Sequence, residues 1–213
     1  MMVQMRAGSL KHVRQAGFTL VEAAIVLVVI GLILGVVLQG QSMIRNAEYR
    51  SFKSDLTDYQ SAFYAFRDRY NALPGDFVNA SGRIDSGLPD GDGNGVIDNG
   101  PTCNNDGDES CMAWQHLRGA GFVKGSASDA GSDASPRHPY GGVFSSFFTG
   151  PEGATGFASK MFITDLPGDI AQRLDDDLDD GEADAGRVSC FQGGSVCSDY
   201  PDADERTGVI IAL

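Results

Sequence analysis

Apolar positions change their spacing twice along this chain. Over residues 18–38 they are nearly continuous, and Thr19 and Glu22 are the polar interruptions. At 1.5 Å per residue such a run makes a helix of about 30 Å, which matches the hydrocarbon thickness of a bilayer. From Phe52 onward the pattern thins to Phe52, Leu56, Tyr59, Phe63, Phe66 and Tyr70, spaced alternately four and three apart with polar residues between them. That spacing draws one stripe along an amphipathic helix, to be buried against a single neighbour. The two segments together predict a helix of roughly 80 Å, ended by Leu73-Pro74-Gly75-Asp76, where proline cannot continue it and glycine takes the turn. Gly40, between Gln39 and Gln41, is its expected weak point. Gly31 and Gly35 in the apolar run have the GxxxG spacing that lets helices approach closely.

Beyond residue 76 the chain breaks into short runs. Strands are expected over residues 142–149, 159–165, 187–191 and 207–213, a helix over 112–120 with Trp114 and Leu117 facing inward, and another from Pro167 to Gly181. Strands joined by turn residues favour an antiparallel sheet packed on the aromatic stripe, which makes the fold class α+β.

Charge follows the same division. The chain has 29 acidic against 16 basic residues, a formal −13, which argues against nucleic acid as a partner of the whole surface. Yet Arg6, Lys11 and Arg14 precede the apolar run, and no acidic residue occurs before Glu22. Under the positive-inside rule the N-terminus stays in the cytoplasm and the acidic bulk lies outside. A cleaved secretory signal would have an apolar stretch of roughly 7 to 15 residues followed by a small-residue cleavage site. The run here is too long, and the processing point falls before it, between Gly17 and Phe18. Glu22 is the anomaly within it, because a carboxylate at membrane depth costs roughly 2.5 to 3.5 kcal/mol on insertion scales. A cut after Gly17 would create a positively charged amine on Phe18, one turn away. Such a pair between neighbouring chains would offset that cost and set their axial register.

Gly17-Phe18-Thr19-Leu20-Val21-Glu22, behind a short basic leader and ahead of a long apolar helix, resembles the prepilin signature of type IV pilins and type II secretion pseudopilins. The resemblance implies a prepilin peptidase that cuts after Gly17 and methylates the Phe18 nitrogen, and a role for Glu22 in neutralising the amine of an adjacent subunit. It also implies a long helix whose inner half builds a filament core. The chain then divides into a leader (1–17), a transmembrane half-helix (18–42), an amphipathic periplasmic half-helix (43–73) and a globular head (74–213). The resemblance is strong to about residue 76 and thinner beyond. The proline that this family often carries later in the helix is missing before Pro74.

Within the head, Asp90, Asp92, Asn94, Val96 and Asp98 occupy positions 1, 3, 5, 7 and 9 of an EF-hand-like calcium loop, with Gly95 at position 6. Pro101 stands where the bidentate carboxylate belongs, so Asp106, Asp108 or Glu109 would have to complete the shell. Calcium is the expected cofactor, and structural calcium in the heads of some pilins and pseudopilins adds weight by analogy. A second acidic run, residues 175–180, reads as a solvated helix end, with a metal or a basic partner as the alternative. Cys103, Cys111, Cys190 and Cys197 have no zinc spacing. Outside the membrane they should be oxidised, and of three pairings Cys103–Cys111 and Cys190–Cys197 close the shortest loops. No catalytic motif occurs, so the chain reads as a peptidase substrate rather than an enzyme.

The function expected is a structural subunit, held in the inner membrane with its head in the periplasm. It would then assemble with like subunits into a pilus or secretion pseudopilus. The alternatives are a signal-anchored, calcium-dependent binding protein that never polymerises, and an anchored hydrolase using the head's carboxylates.

Overall fold

The spacing of the aromatic residues is realised as helix α1, Leu20–Tyr70. The structure, a computed structural model, describes residues 18–213 except Asn99, Thr102, Asn104 and 153–155; the leader and Gly17 therefore lie outside the described residues. The chain forms two compact units, the first ending at Arg45 and the second comprising Asn46–Leu213.

In the first unit every Val, Leu, Ile and Phe from residue 18 to 38 is uncovered, from 47% exposed at Ile30 to 89% at Leu20. No protein surface buries them, and the helix is long and apolar enough to cross a membrane. It runs unbroken through Gly40, so the weak point expected there is not a break in the helix. With no proline nearby, nothing interrupts the backbone ladder.

The second unit buries its own apolar stripe. Phe52, Leu56, Phe63 and Phe66 of α1 are all at most 1% exposed. Phe52 stacks on Phe144 at 5.5 Å and Phe63 on Phe147 at 5.1 Å, while Tyr59 meets both Trp114 and Phe144 edge-on. Offset and edge-on pairs of this kind add to the area they bury. Phe144 and Phe147 belong to strand β1, Phe144–Glu152, the edge of a five-stranded antiparallel sheet. The others are β2 (Gly156–Pro167), β3 (Val188–Gln192), β4 (Ser195–Val196) and β5 (Arg206–Ala212), in the order β1-β2-β5-β3-β4. The last strand of the chain thus sits between β2 and β3. Four strands correspond to the expected ones; β4, two residues long, was not anticipated.

Helix α2 is a single turn, Ala80–Arg83, and helix α3, Glu109–Gly119, starts three residues before the expected position. Trp114 donates its indole N–H to the Ser145 carbonyl at 2.8 Å, which satisfies the one polar atom of an otherwise buried ring. Helix α4, Gly168–Leu178, flanks the sheet and reaches α1 through Arg173, which lies over the Tyr49 ring at 3.9 Å, and through Asp177. There Tyr49 donates to Asp177 at 2.7 Å and Lys53 pairs with the same carboxylate at 2.9 Å. These bonds, the tyrosine's first, hold the Asp177 carboxyl below its ordinary value.

Helix α1 ends at Tyr70, earlier than the expected proline stop. Asn71 takes a left-handed conformation (φ 51°) and its N–H reaches the Arg67 carbonyl at 2.8 Å, closing the last turn. Leu73-Pro74-Gly75-Asp76 is therefore a separate turn. Disulfides join Cys103 to Cys111 and Cys190 to Cys197. Each ties a loop to a regular element, α3 in one case and β3 in the other.

Both described histidines are structural. The Nδ1 of His116 accepts the Gly75 N–H at 2.9 Å, so its Nε2 must donate to the Pro89 carbonyl at 2.8 Å. His138 repeats the arrangement with the Tyr140 N–H and the Thr164 carbonyl. Burial, the largest cause, pushes both rings below the ordinary histidine value. A histidine depressed in the folded state is neutral where the unfolded one begins to take up protons, so its contribution is full above about pH 6.5 and fades as pH falls toward the folded value. Nitrogen NMR of the detergent-solubilised chain should find His116 and His138 taking up protons at lower pH than a free imidazole, each with its proton on Nε2 when neutral; an unshifted or raised titration of either ring would contradict it. Truncation of Phe63 to Ala, by removing a ring with no exposed surface, should lower unfolding stability by about 3 to 5 kcal/mol in denaturant titration.

Candidate functional site

The N-terminal part of the site is one helical turn. Thr19 and Glu22 form a reciprocal cap: the Glu22 N–H donates to the Thr19 hydroxyl at 3.2 Å, and the Thr19 N–H points at the Glu22 carboxylate at 3.5 Å. Sequence reasoning overlooked it, although Thr-x-x-Glu before an apolar run is the recognisable signature of a capping box. Glu22 thus serves its own chain by satisfying a free N–H at the start of α1, where the positive end of the helix dipole also favours a carboxylate. Phe18 is 86% exposed just ahead of it. The pair proposed from sequence, Phe18 and Glu22, lies at one end of the helix, and its Gly17 neighbour is outside the described residues.

The second part is in the head. One carboxylate oxygen each from Asp76, Asp92 and Glu109 lies within 4.8 Å of the others, an arrangement able to hold a metal ion. Two glycines make the convergence. A side chain at Gly75 (φ 96°) would meet the Glu109 carbonyl at 2.3 Å, and one at Gly91 would meet the Gly75 carbonyl at the same distance. Only residues without a Cβ allow the turn after α1, the acidic loop and the start of α3 to press together here. Backbone amides then orient the acids. Glu109 accepts the N–H of Asp92 at 2.9 Å and of Asp98 at 3.1 Å, and Asp76 accepts that of Gly95 at 3.0 Å.

The loop positions named from sequence divide. Asp92 is in the cluster. Asp90 is not: its two oxygens are taken by the Ser81 N–H and hydroxyl, each at 2.8 Å, and those bonds lower its carboxyl below the ordinary range. Asp90, expected from sequence as the first ligand, is thus engaged by Ser81 of α2 instead of joining the three-acid cluster. Asn94 bridges Asp92 and Asp98 through its amide nitrogen and caps the Val96 N–H with its oxygen. Glu109 was one of three candidates for the missing carboxylate; Asp76 was read only as part of a helix stop.

Electrostatically the cluster is unfavourable as it stands. Burial is the main reason that both Asp76 and Glu109 are pushed above the ordinary carboxylate values, and for Glu109 the charges of Asp76 and Asp92 add to it. Asp76 is 4% exposed and its Oδ1 has no hydrogen-bond partner, which is costly for a charged group. A bound cation would remove both penalties, and an all-oxygen donor set suits a hard divalent ion.

No curated protein and no solved structure matches this chain. Residues 13–38 do match the prokaryotic N-terminal methylation motif. That segment contains the Gly17-Phe18 junction, the capped Glu22 and the uncovered apolar face together. It is the prepilin-type signature of type IV pilins and pseudopilins; it supports a pilin-like precursor, and the apolar helix behind it fits a membrane anchor.

Proposed function

We propose that this protein is a structural subunit of a type IV pilus or type II secretion pseudopilus, cut after Gly17 and polymerised through its apolar helix. The observation that carries the reading is the coincidence of the methylation motif over residues 13–38 with a helix segment whose apolar side chains no part of the chain covers. Lipid covers such a surface in the waiting precursor, with the head on the periplasmic side. Packed helices of neighbouring subunits cover it in a filament. Release of the Phe18 amine supplies a positive partner for the carboxylate of Glu22 in an adjoining subunit, which gives a filament its axial register. A non-polymerising anchor has no need of that cut.

Calcium held by Asp76, Asp92 and Glu109 is part of the same reading. It would tie the turn after α1 to the acidic loop and α3, and so brace the head at the point where α1 ends.

In cells carrying a prepilin peptidase, intact-mass measurement should show the chain shortened by residues 1–17 and methylated on Phe18. A membrane form that retains the leader would overturn the proposal. Glu22→Ala should still be cut but should fail to enter filaments. Addition of calcium at a hundredfold excess over its dissociation constant should raise the melting temperature of the detergent-solubilised chain by about 5 to 10 °C over the chelated form. In Asp92→Asn that rise should shrink, and an unchanged rise would remove the loop assignment.

A further inference from the structure

One member of the acidic run at the end of α4 does not lie open to solvent as the others do. Asp175 is completely buried. Its Oδ2 accepts the Tyr200 hydroxyl at 2.8 Å, while its Oδ1 has no hydrogen-bond partner. One oxygen each from Asp175, Asp179 and Asp180 lies within 4.8 Å of the others. Asp179 accepts the N–H of Val188 at 3.1 Å and that of Arg187, at the entry to β3, and Asp180 accepts the Glu182 N–H at 3.1 Å.

This is the wrong end of a helix for three carboxylates. The C-terminus carries the negative end of the helix dipole and leaves carbonyl oxygens without intrahelical partners. The last turn of α4 holds no basic residue. The ion pairs among the described residues, Lys53–Asp177 and Arg118–Asp129, engage other acids. Burial first, and the charges of Asp179 and Asp180 after it, push the Asp175 carboxyl above its ordinary value. Burial and the neighbouring Asp175 carboxylate likewise push the Tyr200 hydroxyl well up.

We infer that Asp175, Asp179 and Asp180 form a second divalent-cation site, suited to calcium, independent of the Asp76 cluster. The free Oδ1 of Asp175, the two exposed carboxylates and the spare carbonyl oxygens of the helix end supply the many oxygen ligands in irregular geometry that calcium accepts. The ion neutralises the helix end and fastens α4 to the start of β3 and to the segment carrying Tyr200. The same region is held by the amide bonds to Asp179, by the Cys190–Cys197 disulfide and by the pairing of β3 with β5.

Calorimetric titration of the detergent-solubilised full chain with calcium chloride tests this. Two calcium ions should bind the unmodified chain. Asp179→Asn/Asp180→Asn should lose one of them or weaken it by about tenfold or more, since calcium affinity follows the ligand charge count. Asp92→Asn should retain it. Because Asp179 also orders the backbone before β3, Asp180→Asn alone, an exposed position, serves as the second variant and should weaken the same ion. Unchanged stoichiometry and affinity in both variants would overturn the inference. So would a single calcium that Asp92→Asn abolishes and Asp180→Asn leaves intact. The converse, a single calcium lost in Asp180→Asn and kept in Asp92→Asn, would support this site and remove the other.

Discussion

Helix α1 has to satisfy two surroundings with one backbone. Up to residue 38 its side chains are apolar on every face, and from Phe52 they are apolar on one stripe only. The stripe is what the head is organised around. Phe52, Phe63 and Phe66 have no exposed surface, and β1, α3 and the turn after α1 all contribute aromatic partners to them. A helix apolar all round has no such partner within the chain. Its surface can be covered only by lipid or by other helices, because leaving it in water would forfeit about 25 cal/mol for each Å² exposed. The methylation motif lies on that uncovered segment, so the chemistry of processing and the physics of burial concern the same residues.

The head handles its acidity by concentrating it. Most carboxylates are solvated, but Asp76, Glu109 and Asp175 are buried, and burial of an acid requires partners. In both clusters the available amides and hydroxyls satisfy part of each carboxylate and leave one oxygen of Asp76 and one of Asp175 without a partner. Among the described residues histidine has no share in this chemistry, since His116 and His138 spend both ring nitrogens on backbone groups.

Local patterns were legible where a period or a punctuating residue dominates. The aromatic stripe of α1, the inward faces of α3, the amphipathic α4 and four of the five strands follow from spacing alone, to within a few residues at their ends. The differences between pattern and structure share a cause. Asn71 ended α1 before Pro74 could, because asparagine tolerates the left-handed conformation that terminates a helix. Asp90 stood in a ligand register, yet Ser81, nine residues earlier, took its carboxylate. Asp76 looked like turn punctuation, and the contact that recruits it depends on Gly75 and Gly91 meeting across a separation that no local motif encodes.

By itself, then, the sequence determined the helix, its change of character near residue 40, the methylation motif over residues 13–38 and the α+β class. These depend on neighbours along the chain: periodicity, charge order and a short motif. Only the tertiary structure decided that β5 lies between β2 and β3, that Asp76 and Glu109 join Asp92, and that Asp175 is buried at a helix end. Those outcomes rest on long-range packing, where an acid's partner is chosen by whichever backbone can approach closely enough, and the sequence carries that information only in residues that are small enough to let it happen.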